Sequence, residues 1–505
     1  MQFVLRSRSG IRAQCRGLLG HVGWLLAALP IAGAATLVSA QAATGRSDQS
    51  RSAALAQATP VVAEPEVLAR LIPERLDPRR SLFITDTDVL SGFSLPRVLT
   101  ALVEQHGDPT LSAIDLFRQL WDSQNPGPGL EQGAHCDDHV SDELGTRLNG
   151  FPYDCRPAPG EGGQAECESL EEGDCAYVPI AIINRFDLAS ADASTCGEYR
   201  IIHAKQTGQR DALNRNFIIW EGALPNPRPR LGVSGCRSIA IYWSLLSGIS
   251  DPSVRAAWLE RFYFTGWGEI PAVITPVHYG DNAQGVGQVR TNQFMAQGVR
   301  RAWTLREFKL RTSRSGNSLQ FVPVAAADNP WGGLFASDAS HPQTSNFMDW
   351  LPSQIDLLDN ADPALIRIED LPALNSGQSH ASLSTDTNYV AQFDPDSELA
   401  SVLQAELDNL GSLLVPTDIV ARVQTQSCAG CHQLSNGASL GSGITWPSSL
   451  GFTHVSEAMT EEVGGVTRFV ISDALIEVFL PARQANLEEF VRQGRFVPAP
   501  TGAVN

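Results

Sequence analysis

The stretch QSCAGCHQL, residues 426–434, decides the fold of the C-terminal part of this chain. In it, Cys428 and Cys431 are separated by two residues, and His432 follows the second cysteine directly. Two thiols at this spacing can add across the two vinyl groups of one haem, and the adjacent histidine can then bind the iron. A thioredoxin-like redox pair shares the C-x-x-C spacing but needs a βαβ context, which the flanking sequence does not predict. The motif therefore predicts one covalently bound haem c.

The residues on both sides of the motif extend this pattern. A helix that begins near Thr417 precedes it, a glycine-rich loop that ends in WPSSL (446–450) follows it, and a final helix closes the segment. Over residues 396–495 these features resemble the class I cytochrome c domains, which are small and all-α. The resemblance implies that the carbonyl group of Pro447 accepts a hydrogen bond from the His432 ring and fixes its orientation.

Two side chains are candidates for the second axial position of the iron. Class I domains supply a methionine several tens of residues after the motif, whereas Met459 follows His432 by 27 residues and stands among glutamates. His454 lies in a more apolar run, LGFTHV at 450–455, which suits a side chain that faces a haem. We predict His454 as the distal ligand, with Met459 as the alternative and a vacant position or a ligand from elsewhere in the chain as the third possibility. A vacant position would permit peroxide or oxygen chemistry.

The first 42 residues have the pattern of a secretory signal peptide. Four arginines precede an apolar run that ends at Ala40-Gln41-Ala42, and glycines and a proline interrupt the run, so it would span a bilayer poorly. Residues 43–64 are mainly small and polar and predict a flexible linker. We therefore expect export to the periplasm of a Gram-negative bacterium or to the medium, with no membrane span after signal cleavage.

Six further cysteines lie between the signal peptide and the haem motif. Five of them fall between residues 136 and 196, where Gly, Pro and acidic residues leave little apolar surface to bury. An even number of cysteines in an exported chain predicts three disulfides, drawn from fifteen possible pairings. The six are Cys136, Cys155, Cys167, Cys175, Cys196 and Cys236.

Residues 65–395 are predicted to form a β-rich, sandwich-like domain with marginal helices, and residues 396–505 a small all-α haem domain. The chain as a whole is therefore expected to be an α+β multidomain protein. Period-2 patterns and turn residues predict strands at 180–183, 199–203 and 217–220, a hairpin of 273–279 with 286–294, and a hairpin of 303–311 with 319–324. Helices are predicted from Ser94 to Gly107, from Thr110 onward, near 253–262, and at 399–410, 418–426 and 473–491.

The formal net charge of −18 restricts the partners of the protein. Such a surface repels nucleic acid and anionic lipid, so neither is expected as a partner. We predict haem binding and electron transfer with a redox partner protein that carries basic residues. The alternative is a haem-dependent oxidoreductase, or a catalytic or ligand-binding N-terminal domain coupled to the haem.

Overall fold

A computed structural model describes residues 68–127, 129–130, 133–138, 145–295, 303–313, 318–381 and 387–497. These residues form a mixed α+β structure. The predicted signal peptide (1–42) and linker (43–64) lie outside the described residues. Within the described ranges, no helix is both long and apolar enough to cross a membrane.

One antiparallel sheet dominates the described part of the chain. The strands, numbered along the chain, are β1 (Phe83–Ile84), β2 (Arg147–Leu148), β3 (Phe151–Pro152), β4 (Tyr177–Ala189), β5 (Thr195–Lys205), β6 (Asn216–Pro225), β7 (Gln288–Gln293), β8 (Trp303–Thr312), β9 (Leu319–Val324), β10 (Gln378–Ala381), β11 (Val455–Val463) and β12 (Val466–Ile471). The large sheet has the order β1-β4-β5-β6-β7-β8-β10, and β9 also pairs with β8. The strands β2 and β3 form a small separate ribbon, as do β11 and β12.

Helices pack around this sheet. They are α1 (Pro78–Ser81), α2 (Thr87–Leu90), α3 (Leu95–His106), α4 (Ala113–Asp122), α5 (Arg237–Leu246), α6 (Pro252–Glu260), α7 (Thr344–Ser353), α8 (Ile355–Leu358), α9 (Tyr389–Gln392), α10 (Glu398–Leu410), α11 (Pro416–Gln426) and α12 (Leu480–Gln493). The last helix contacts α5 and β4, and α4 contacts β9. Two π-helical turns, Gly430–Leu434 and Ala474–Phe479, lie in the C-terminal part.

The strand β8 pairs with three other strands near one end of the sheet. Its first four residues pair with β10 and its last six with β9, while its other edge pairs with β7. The sheet is buried on both faces, since every residue of β6 except the last, and all of β7, is buried. The predicted sandwich is therefore wrong for the described residues, which contain one large sheet covered by helices and loops. Both arrangements bury both faces of a strand, so apolar runs alone do not distinguish them.

Most of the predicted strands are confirmed. The runs at 180–183, 199–203 and 217–220 lie in β4, β5 and β6, and the second predicted hairpin is β8 with β9. Of the first predicted hairpin, the second arm is confirmed as β7, but the first arm is wrong, because the residues before the loop form a 3-10 turn that begins at Pro276. Proline lacks the N–H that a strand needs for pairing.

The N-terminal helices agree with the predictions except at one boundary. The helix α3 begins after Ser94 and ends at Gly107, whose φ of 81° is left-handed. The helix α4 begins after Ser112 rather than at Thr110. The reason is a capping box, in which the Ser112 hydroxyl accepts the Asp115 N–H and the Asp115 carboxylate accepts the Ser112 N–H.

The residues after 396 share the hydrophobic core of the sheet. The helices α10, α11 and α12 occur where they are predicted. Leu403, Ile419 and Leu487 belong to the same buried cluster as Trp220, and the N–H of Phe469 on β12 donates to the Thr85 carbonyl oxygen at 3.1 Å. The predicted boundary at 396 therefore does not separate two cores. The expected all-α character is also corrected, because the β11–β12 hairpin lies within this part.

Three disulfides are present among the described residues, as predicted. They join Cys136 to Cys155, Cys167 to Cys175, and Cys196 to Cys236. Disulfides of this kind form and persist in oxidising compartments. They crosslink the part of the chain whose composition offers little apolar surface.

The disulfide between Cys167 and Cys175 allows a direct test of stability. We expect the Cys167→Ala/Cys175→Ala variant to lose about 2.5 kcal/mol of unfolding free energy, because an eight-residue separation restricts the unfolded chain by about that amount. Equilibrium unfolding in guanidinium chloride without reductant measures the difference. An unchanged midpoint and slope would contradict the expectation.

Candidate cofactor site

The cysteine motif begins where α11 ends. The Ser427 hydroxyl donates to the Gln424 carbonyl oxygen at 2.9 Å and accepts the Gly430 N–H at 3.0 Å, which ends the helix and starts the turn. A Cβ at position 430 would lie 1.6 Å from the Gln424 carbonyl oxygen, so only glycine fits there. The π-helical turn that follows carries Cys431 and His432. Local packing therefore determines the residues between the two cysteines.

Cys428 and Cys431 are both buried and lie outside the three disulfides. Cys428 packs with Trp303, Leu305 and Ala326, which places it against the first half of β8. Burial raises the pKa of the Cys428 thiol to about 12. Since the thiolate is the reactive form in thiol–disulfide exchange, a protonated Cys428 does not suit a redox-active cysteine pair.

His432 uses one ring nitrogen for a hydrogen bond, and the other has no hydrogen-bond partner among the described residues. Its Nδ1 lies 2.8 Å from the Phe452 carbonyl oxygen. Because a carbonyl oxygen only accepts, Nδ1 carries the proton and Nε2 keeps its lone pair. Nε2 is buried and has no hydrogen-bond partner among the described residues. Burial also lowers the pKa of His432 to about 4, so the ring is neutral near pH 7.

The resemblance to class I domains implies that the Pro447 carbonyl group holds the His432 ring. In the structure, the Phe452 carbonyl group accepts that hydrogen bond instead. Pro447 lies in the predicted loop and Phe452 just beyond it, and this stretch also contacts the His432 main chain. The Ser449 hydroxyl donates to the His432 carbonyl oxygen, and the Phe452 N–H donates to it at 3.1 Å. Phe452 has a positive φ of 66°, which turns its carbonyl group towards the histidine ring. This conformation is not readable from the sequence.

His454 lies beside His432. The two ring centroids are 5.0 Å apart, and His454 Nε2 lies 3.5 Å from the Cys431 sulfur. On the other side of the ring, Nδ1 lies 2.8 Å from the Ser472 hydroxyl oxygen. Burial and, secondly, His432 lower the pKa of His454 well below its ordinary value, so this ring is also neutral. The structure thus brings together the predicted proximal and distal histidines.

Met459 lies on β11, in the half of the strand that faces solvent. Its side chain is not part of the buried cluster around His432, because the residue is 51% exposed. Its main-chain N–H donates to the Ser456 hydroxyl oxygen at 2.9 Å, which belongs to the same hairpin. Of the two side chains predicted for the second axial position, His454 is therefore the one that lies at the site.

The donor set contains what a covalently bound haem needs, which is two thiols and an imidazole whose Nε2 has no hydrogen-bond partner among the described residues. In the part of the chain that the structure describes, no three His, Cys, Asp or Glu side chains converge as metal ligands. A bare zinc ion usually takes three or four protein ligands, whereas the porphyrin supplies the equatorial donors to iron and the protein supplies axial ones. A lone pair on His432 Nε2 beside two thiols fits the second case.

A layer of buried charges lies on the sheet near Cys428 and was not predicted from the sequence. Arg290 on β7 contacts Glu307, its cross-strand neighbour on β8, at 2.9 Å. On the adjacent strands, Arg200 contacts Glu221 at 3.1 Å. The signal for this layer is the polar character of β7, in which Val289 is the one apolar residue. A polar strand normally indicates solvent exposure, and here all six residues are buried.

No protein-family model matches the chain, and no curated protein or solved structure is significantly similar to it. The class of the protein therefore follows from its own fold and site alone. It is an α+β protein with three disulfides among the described residues, and it carries a buried Cys-x-x-Cys-His motif next to a second buried histidine.

Proposed function

We propose that the chain is an exported electron-transfer protein that carries one haem c, bound through thioethers to Cys428 and Cys431. The observation that carries this proposal is the neutral, buried His432, whose Nε2 has no hydrogen-bond partner among the residues described. A ring nitrogen in this state is costly to bury unless something binds it. When bound, the group supplies a ferric/ferrous couple that exchanges one electron.

The chain's own residues would hold and orient the axial ligands. His432 would bind the iron through Nε2, while the Phe452 carbonyl oxygen keeps the proton on Nδ1. His454 would take the opposite side, with Ser472 as the partner of its Nδ1. Hydrogen bonds of this kind fix the tautomer and raise the donor strength of a ligating imidazole.

Two axial imidazoles favour electron transfer over the alternative of a haem-dependent oxidoreductase. An oxidoreductase that acts on peroxide or oxygen needs an open axial position, and we propose that His454, whose ring centroid lies 5.0 Å from that of His432, closes it. The shared core also argues against an N-terminal region that binds its own ligand as a separate domain and signals to the haem.

The location and the partner follow from chemistry. Haem attachment to a C-x-x-C-H motif occurs outside the cytoplasm, and the leader pattern and the disulfides support export to the periplasm or the medium. The partner is a redox protein. Because the chain has a net charge of −18, a partner with a basic docking surface associates fastest at low salt.

The test is to produce the chain in a bacterial host that attaches haem to exported proteins. We expect the purified protein to gain the mass of one haem and to show a Soret band that acidified acetone does not extract. The Cys428→Ser/Cys431→Ser variant should lose the mass gain.

The matched control removes two cysteines elsewhere. The Cys167→Ala/Cys175→Ala variant should keep the covalent haem, because that pair lies in a disulfide. Wild-type protein from a competent host that shows neither a Soret band nor a mass gain would contradict the proposed function.

A further inference from the structure

A buried carboxyl group lies near Cys428, and no ion pair holds it among the described residues. Asp328 follows β9 and is only 3% exposed, and its Oδ1 has no hydrogen-bond partner within the described ranges. Two residues earlier, Ala326 packs in the same cluster as Cys428. The Ala327 N–H donates to a Glu307 carboxylate oxygen at 3.3 Å. The residues just before Asp328 therefore pack beside Cys428 and donate a hydrogen bond to the buried charge layer.

The cations of that layer already have carboxylate partners. The Arg290 guanidinium contacts Glu307 at 2.9 Å and Glu221 at 3.6 Å. The Lys309 ammonium lies 3.5 Å from Glu307. Asp328 is thus an acidic group beside this layer whose cations already contact other carboxylates. A buried carboxylate without a cation is costly, so such a group takes up a proton instead.

The nearest exposed acid is Asp370. Its Oδ1 accepts the Asp328 N–H at 3.0 Å and the Asn375 side-chain N–H at 2.6 Å. Asp370 is exposed, and its negative charge adds to the effect of burial. Burial and then Asp370 raise the pKa of Asp328 well above its ordinary value, against a smaller opposing effect of Arg290.

We propose that Asp328 is a proton-binding site coupled to the reduction of the haem, with Asp370 as the surface carboxylate that strengthens proton binding. This inference rests on the proposed function. One electron arrives from the redox partner protein, and one proton arrives from water and forms an O–H bond on the Asp328 carboxylate. The buried region then gains no net charge. Reoxidation returns the electron to an acceptor protein and the proton to water.

The direction of the pH dependence follows from electrostatics. An added electron favours protonation of a nearby carboxylate, so the pKa of Asp328 is higher in the reduced protein than in the oxidised one. Between these two pKa values reduction takes up a proton, and the reduction potential falls as the pH rises. Below both values, and above both values, the potential is independent of pH. The groups that face Asp328 are Asp370, Arg290, Glu307, Glu198, Tyr389 and Cys428.

The experiment is a potentiometric titration of the haem-loaded protein over the pH range in which it stays folded. In the wild type we expect the reduction equilibrium constant to change by up to tenfold per pH unit, about 59 mV for one electron. The Asp328→Asn variant should lose this slope. The Asp338→Asn variant, in which an exposed aspartate is replaced, should keep it. A slope that persists in Asp328→Asn would overturn the inference.

A second variant covers the case in which Asp328→Asn does not fold. Asp370→Asn leaves the buried carboxyl group in place but removes the charge that raises its pKa, so the sloped region should move to lower pH and keep its steepness. An unmoved region would count against the inference. If the preparation contains no haem, the proposed function is contradicted and not this inference alone. The missing Soret band identifies that case.

A readout that does not depend on the haem is the stability of the folded chain. Because the folded chain keeps a proton on Asp328 that the unfolded chain releases, the unfolding free energy of the wild type should fall relative to Asp328→Asn as the pH rises above about 4. Urea unfolding at several pH values measures this. Parallel curves for the two proteins would show that folding does not shift the pKa of the carboxyl group and would overturn the inference.

Discussion

Replacing His454 with alanine is expected to convert a six-coordinate low-spin haem into a five-coordinate high-spin one. The reason is geometric, since His454 is the buried imidazole whose ring lies 5.0 Å from that of His432 and whose Nδ1 is already held by Ser472. The open position should then bind carbon monoxide, with a change from no detectable binding to one molecule per haem. Optical and magnetic circular dichroism spectra measure both effects.

The matched control is Met459→Ala. Because Met459 is half exposed on β11, its removal should leave the low-spin spectrum and the lack of carbon monoxide binding unchanged. The opposite pattern, in which Met459→Ala opens the site and His454→Ala does not, would reassign the distal ligand. It would also require the β11–β12 hairpin to rearrange when the haem binds.

The elements near the site differ in how far they could be predicted from the sequence. The helix α11 and the turn with the cysteines were predictable, because helical periodicity and a fixed spacing are local properties. The burial of His454 was predictable in the same sense, since the residues around it form an apolar run. The histidine is indeed buried and the methionine is exposed.

The partners of the two histidines were not predictable. Phe452 supplies a main-chain carbonyl oxygen, and any residue type could do so, so the side chain carries no signal. Ser472 reaches His454 only because the end of β12 packs beside it, which is a contact between residues 18 positions apart. Such contacts depend on how the hairpin packs against the rest of the core.

The sequence also did not predict that the described residues before and after 396 share one hydrophobic core. The predicted boundary at 396 relied on a change in composition and on acidic residues, which commonly mark linkers. In the structure, this region leads into α10, which packs on α7 and α11. The burial of the charged residues on β5 to β8 could not be predicted for the same reason, because the segments that pack over them are distant in sequence. Period-2 polarity indicates which face of a strand is polar and not whether that face meets water.

Those buried charges lead to a second large expected effect. We expect Arg290→Met to lower the free energy of unfolding by about 3 kcal/mol or more, because it removes the cation that Glu307 and Glu221 share and leaves their charges buried. Although burial alone would lower the pKa of Arg290, the two glutamates raise it, so the guanidinium is charged in the folded protein. Urea unfolding at neutral pH measures the loss.

Two further variants separate the charge effect from a packing effect. Arg228→Met removes an arginine from an exposed ion pair with Glu269 and should cost less than about 1 kcal/mol. Arg290→Met/Glu307→Gln removes both partners of the buried pair and should recover much of the stability, because residue 307 then carries no charge that Arg290 would have to neutralise. If the loss of stability in the double variant equals the sum of the losses in Arg290→Met and in Glu307→Gln, the effect of Arg290→Met reflects packing around the arginine side chain. Packing, and not ion pairing, would then stabilise the buried charge layer near Cys428. The raised pKa of Asp328 could then no longer be attributed to ion pairs that occupy the cations of that layer.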